Sequence, residues 1–374
     1  MVDFIASRGL SVPTAKSETV AHMTSKDACQ CASVLSGYFM FSRRSYVPAD
    51  QAPARFEMSA YMIASYWPWG VEAVLKGAEL LRKGCCALDA VEEAIRVVED
   101  DPNVNSVGTG GLPNADGVLE LDAGIMDGTN LRAGAVTCLQ MTRNPISVAR
   151  KVMELTPHVL LAGQGATEFA RRCGFPEYDP LTPEARETWR KLRKAMLSPE
   201  TDESAKNTFQ NLTGYDSDVD RLATCLRSRL GTSHGTVGVA ATDREKQVAA
   251  GSSTSGWAMR FPGRVADSSI IGAGTYANRT ASASSTGIGE TAIRHCLTKG
   301  ICDLVEDGLS PTEACETALL KMMSHEKFDH IVGVICVDVN YNAGGACTKT
   351  GFQFEYTSSE DTAPVIVHPK PVRP

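Results

Sequence analysis

The residue whose surroundings suggest chemistry is Thr236, which follows Gly235 and opens the apolar run TVGVAATD (236–243). A threonine hydroxyl is a poor nucleophile near neutral pH unless a base sits beside it. One solution makes the threonine the first residue of a chain, so that its own α-amine, with a pKa of about 7.7–8.0, takes the proton. That chemistry requires a cut between Gly235 and Thr236. The segment Gly231-Thr-Ser-His-Gly235 offers a small-residue approach to it, and Gly235 has the backbone freedom that a strained scissile peptide needs. Further along, Arg264 and Asp267 stand three apart in PGRVADSS. A guanidinium fork suits a carboxylate and an aspartate can meet an ammonium, although the same pair elsewhere is a surface ion pair. In STGIGE (285–290) a hydroxyl and an N–H from the adjacent residues Thr286 and Gly287 can converge on one oxyanion; otherwise TGIG is a turn that starts a helix.

These residues need elements to position them. MSAYMIASYW (58–67), ended by Pro68, reads as a buried strand. Val71, Val74, Leu75, Ala78 and Leu81 recur at helical spacing up to Gly84, and Leu88, Val91, Ile95 and Val98 mark a second helix ending before Pro102. Residues 106–136, dense in glycine, read as turns joining short strands; GTGG followed by Pro113 has neither the lysine nor the helix start of a phosphate loop. A helical pattern returns over 146–173. Residues 176–231 are charged, with Pro and Ser interspersed, and read as an exposed, partly helical linker. Beyond it, TVGVAATD pairs with QVAAGSSTSG (247–256) and IVGVICVD (331–338) with AGGACTKT (343–350), and helices fall at about 287–307 and 310–323. Strand pairs and helix pairs in blocks imply stacked layers of helix and antiparallel sheet.

Composition narrows the function classes. The chain has 374 residues, 43% of them hydrophobic and 22% charged, enough to bury a sizeable core. A net charge of −7 gives no electrostatic footprint for nucleic acid. No run is long and apolar enough for a membrane-spanning helix, and residues 1–16 lack the pattern of a secretory signal. Residues 1–55 show no sustained period and read as an extension, disordered by composition. Cys29-x-Cys31 with His22 lacks a second ligand pair, so no metal is expected. The sequons at Asn211 and Asn278 matter only in a secreted protein.

From Tyr66-Trp67-Pro68 to about Tyr356 the chain resembles the glycosylasparaginase branch of the threonine-type asparaginase family. The matching pieces are SVGTGGLP (106–113), LDAGIMDGTNLRAGAV (121–136), SVARKVMELTPHVLLAGQGATEFARRCGF (147–175), HGTVGV (234–239), GSSTSG (251–256), PGRVADSSIIGAGTYAN (262–278) and STGIGE. The resemblance implies an α+β fold, a four-layer αββα sandwich of the N-terminal nucleophile hydrolase type. It implies self-cleavage into an α chain, 56–235, and a β chain, 236–374. It makes Thr236 the nucleophile, Thr254 its supporting hydroxyl, Arg264 and Asp267 the clamp for a substrate's α-carboxylate and α-amine, and Thr286 and Gly287 the oxyanion donors. Trp67 matches an aromatic near the substrate, where a purely structural place in the core is the alternative. No cofactor is implied, and the assembly expected is a dimer of αβ units.

The expected substrate is N4-(β-N-acetylglucosaminyl)-L-asparagine, with asparagine as a smaller one; the alternatives are an isoaspartyl dipeptidase with asparaginase activity and an unprocessed scaffold protein. Gly235 departs from the glycosylasparaginase branch, where Asp is common, and agrees with the isoaspartyl branch. The missing signal favours the cytoplasm. A lysosomal place is the alternative, because Cys315, Cys336 and Cys347 match disulfide cysteines of lysosomal members.

Overall fold

A computed structural model describes residues 60–196, 235–325 and 330–373. The extension (1–55), the Cys29/His22 group and most of the expected linker lie outside the described residues. The first strand, β1 (Met62–Tyr66), leads to helices α1 (Gly70–Arg82) and α2 (Ala87–Glu99). Two strands follow, β2 (Leu121–Asp127) and β3 (Arg132–Leu139), then α3 (Pro145–Leu155), β4 (Leu160–Ala162), α4 (Gly163–Arg172) and α5 (Pro183–Met196). The chain then forms β5 (Val237–Thr242), β6 (Val248–Thr254), a 3-10 turn at Asp267–Ser269, β7 (Thr275–Ala277) and β8 (Ala281–Thr286). Helices α6 (Gly289–His295), α7 (Leu297–Glu306) and α8 (Pro311–His325) precede β9 (Gly333–Asp338), β10 (Ala343–Cys347), β11 (Phe354–Ser358) and β12 (Val365–Val367).

The strands form a mixed α/β architecture with two sheets, ordered β12-β11-β1-β5-β6-β2-β3-β4 and β10-β9-β8-β7. Every pairing is antiparallel except β3 with β4. Strand β1 shows how the larger sheet is used: Ile63 joins a core with α1 and α2, while Met62, Ala64 and Tyr66 join another with Ile335 and Val337 of β9. Alternate residues point to opposite faces, so a strand buried at every position, as β1 is, is covered on both sides. A further core packs β8 and β9 against Ile301, Cys302, Cys315 and Leu319 of α7 and α8. The buried Tyr66 hydroxyl ties the two sheets together, donating to Ser285 O at 2.7 Å and meeting Ser284 Oγ at 3.0 Å. Left unpartnered, that hydroxyl would cost about 1–3 kcal/mol.

Several local devices were invisible to periodicity. The pattern over 146–173 is broken by β4, and the one over 287–307 by Cys296, whose φ of 47° ends α6 and begins α7. Helix α3 begins with Pro145, and the Glu99 carboxylate accepts the Ile146 N–H at 3.0 Å. Helix α8 begins with a capping box, Ser310 N donating to Glu313 Oε2 at 3.0 Å and Glu313 N to Ser310 Oγ at 3.4 Å. Within the expected linker, α5 is docked: Trp189 Nε1 donates to Asn114 O at 2.9 Å. Cys315, Cys336 and Cys347, matched above to disulfide cysteines, are buried free thiols.

Candidate active site

Thr236 is buried at the start of β5, and Thr254 is buried at the end of β6. The two strands pair antiparallel with Val237 opposite Ser253, so the threonines extend that ladder by one step. Thr254 Oγ1 accepts the Gly256 N–H at 2.9 Å and directs its single proton between two carbonyls, Ser106 O at 3.2 Å and Gly235 O at 3.3 Å. The carbonyl of the expected cleavage site therefore already has a hydroxyl donor.

The charged residues come from outside the ladder. Arg264 is pinned by two bonds to Glu290, Nε to Oε1 and Nη2 to Oε2, both 2.9 Å, and its guanidinium lies 4.6 Å from the Trp257 ring centroid. Bidentate pairing fixes the plane of the fork as well as its position. Asp267 is buried in the 3-10 turn and accepts the Ser285 hydroxyl at 3.0 Å. Burial pushes its carboxyl up to about 6, with the Arg264 charge pulling the other way. The loop carrying both is anchored by Arg260, which is 1% exposed, bonds the Asp122 carboxylate and donates to Glu120 O at 2.7 Å.

Gly235, Thr236, Thr254, Arg264, Asp267 and Gly287 line one open cleft, together with Gly256, Trp257 and Ala266. Gly287 has φ 121°, and a Cβ there would stand 2.2 Å from Ile331 O, so only glycine fits. Thr286 and Trp67 do not line this cleft but meet each other beside it: Trp67 Nε1 donates to Thr286 Oγ1 at 3.0 Å. Trp67 has the left-handed φ of 67° and packs edge-on against Phe352 with centroids 5.7 Å apart, so its indole serves both the core and Thr286. Residue types and spacing alone missed Ser106, Trp257 and Glu290. Each sits in or directly after a motif quoted above, yet carries no chemistry until the fold brings it beside Thr254 or Arg264.

A family model described as "Asparaginase" matches residues 64–367. The chain belongs to the asparaginase family. Its members are amidohydrolases with an N-terminal threonine mechanism. Relatives include a plant-type L-asparaginase of Pyrococcus furiosus, 46% identical over 275 residues, covering 74% of this chain and 84% of that protein. An N(4)-(Beta-N-acetylglucosaminyl)-L-asparaginase of Elizabethkingia miricola is 37% identical over 301 residues, covering 78% and 80%. An isoaspartyl peptidase/L-asparaginase of Xenopus laevis is 38% identical over 279 residues, covering 74% and 80%.

Proposed function

We propose that this chain cuts itself before Thr236 and then uses Thr236 to hydrolyse the side-chain amide of L-asparagine and related β-aspartyl amides. The observation that carries the reading is the hydrogen bond from Thr254 Oγ1 to Gly235 O, because it polarises the carbonyl that Thr236 would attack. In the cut, the Thr236 hydroxyl oxygen bonds to the Gly235 carbonyl carbon. The Gly235–Thr236 C–N bond breaks and the departing nitrogen takes the hydroxyl's proton. Water then hydrolyses the resulting ester, leaving an α chain ending at 235 and a β chain beginning at 236.

With its amine free, Thr236 has its base. Its hydroxyl attacks the substrate's amide carbon, the Gly287 N–H in the cleft receives the oxyanion together with the hydroxyl of Thr286, which Trp67 holds beside the cleft and which keeps its own proton to donate, and the amine leaves with a proton. Water releases aspartate from the β-aspartyl ester. Arg264 receives the α-carboxylate and Asp267 the α-ammonium. Support for this assignment is that both line the cleft with Thr236, and that the Glu290 bonds engage only one edge of the Arg264 fork.

Identities of 44–46% with plant-type L-asparaginases against 34–37% with N(4)-(beta-N-acetylglucosaminyl)-L-asparaginases, together with Gly235, favour asparagine as substrate. A second reading, hydrolysis of N4-(β-N-acetylglucosaminyl)-L-asparagine, is favoured by the Trp67-Pro68 segment. Relative kcat/KM for asparagine, a β-aspartyl dipeptide and glycoasparagine separates the two.

For the architecture we favour a four-layer αββα sandwich, supported by the core between the sheets and the helix-covered core on each outer side. For the assembly we favour a dimer of αβ units, supported by exposed Leu155, Val159 and Leu160 beside edge strand β4.

The decisive experiment is a denaturing gel. Apportioning 40.0 kDa at residue 235 of 374 gives bands of about 25 and 15 kDa. Thr236→Ala is expected to leave one band and no turnover; residual hydrolysis by that variant would remove Thr236 as the nucleophile.

A further inference from the structure

The α-carbon of Gly235 lies against the benzo edge of Trp69. A Cβ added to Gly235 would stand 2.4 Å from Trp69 Cζ2, 2.5 Å from Trp69 Cη2 and 2.7 Å from Ser106 Oγ. Non-bonded atoms do not approach so closely, so any side chain at 235 must displace a wall or be displaced itself.

The indole is the fixed wall of the two. Trp69 precedes the first turn of α1, packs against the core beneath that helix, and lies with its ring centroid 6.2 Å from that of Trp67. Its indole N–H is buried and makes no hydrogen bond among the described residues, so the ring acts here through its shape. Ser106 is held through its carbonyl, which accepts Ser255 N at 2.7 Å and Thr254 Oγ1 at 3.2 Å. The longest bond of the group is the one from Thr254 to Gly235 O, 3.3 Å. The indole is packed against the core, whereas Gly235 O is held by one proton that Thr254 shares with Ser106 O, so a side chain at 235 would press the Gly235 peptide away from Thr254.

We propose that Trp69 is a specificity-determining residue of the self-cleavage: its benzo edge excludes side chains from position 235 and so keeps the scissile carbonyl on the Thr254 hydroxyl. The role is separate from Trp67, which reaches Thr286 instead. It rests on the reading that the chain cuts before Thr236, and the test tells the two apart.

Full-length chain is made by pulsed cell-free translation, and the appearance of two bands is timed for wild type, Gly235→Ala, Trp69→Phe and the double variant. A misplacement of about 1 Å costs about 100-fold in rate, and Gly235→Ala is expected to slow cleavage by that order. Trp69→Phe withdraws Cζ2 and Cη2 while keeping a ring on the core. Added to Gly235→Ala, it is expected to recover at least about tenfold. If the double variant is unfolded by circular dichroism, Trp69→Leu replaces Phe in the same comparison. The proposal is overturned if Gly235→Ala cleaves as fast as wild type, or if neither replacement recovers a slowed Gly235→Ala. A wild-type chain that never cleaves sinks the underlying reading instead.

Discussion

The two ends of the cleft are held by different forces. At the hydroxyl end, Thr236 and Thr254 terminate neighbouring strands of an eight-stranded sheet, and the β5–β6 ladder sets their separation. At the charged end, Arg264 and Asp267 lie on a loop and a 3-10 turn, oriented by Glu290, Trp257 and Ser285. A backbone ladder is insensitive to pH and to most side-chain changes, whereas a charged cluster is tuned by both. In the function proposed here, bond breaking falls to the rigid end and recognition of the substrate to the adjustable one.

Thr254→Val should test the rigid end hardest. It keeps the shape of the side chain but removes the donor to Gly235 O. Losing one such donor costs about 10²–10³ in rate, so timed gels should show self-cleavage slowed by that order. Arg264→Lys should spare self-cleavage, because Arg264 makes no contact with the Gly235–Thr236 peptide among the bonds described. It should raise KM for asparagine by about 10- to 100-fold, equivalent to losing one charge-assisted hydrogen bond of about 1.5–3 kcal/mol, with kcat changed less. The reverse pattern, cleavage blocked by Arg264→Lys and untouched by Thr254→Val, would dissolve the division between the two ends.

The same division explains what could be read from the sequence. Strands such as IVGVICVD and helices such as the one carrying Val91, Ile95 and Val98 are legible because burial imposes a period on them. At the Gly235-Thr236 junction a glycine, a threonine and an apolar run describe a turn before a strand equally well, and its reading as a cleavage site comes from the family resemblance. Breaks at β4 and Cys296 are not, since a three-residue strand and a single left-handed residue leave the apolar pattern nearly unchanged. At the charged end, the three-residue spacing of Arg264 and Asp267 also describes a surface ion pair, so their roles come from the resemblance, and Glu290 is 26 residues from its arginine. Ser106 is still farther from Thr254, 148 residues along the chain. Pairings of that range depend on how strands cross between sheets, which no local pattern encodes.

The smallest effect expected is also the one that most sharpens the comparison. Asp267 must be ionised to hold an ammonium, and burial has raised its carboxyl to about 6. In the proposed mature chain the Thr236 amine must be neutral to act as a base, and the ordinary pKa of such an amine is about 7.7–8.0. As pH falls, kcat/KM, which reports the free enzyme, should first decline about tenfold per unit as the amine protonates. Below pH 6 the decline should steepen, because Asp267 then takes its proton as well. Asp267→Asn removes the second titration, so its profile should start lower yet keep the shallower slope throughout. Self-cleavage of the intact chain uses neither group in this way and should show no break at pH 6. A matching break in the cleavage profile would mean that the charged end governs the hydroxyl end after all, and that the cleft works as one coupled unit.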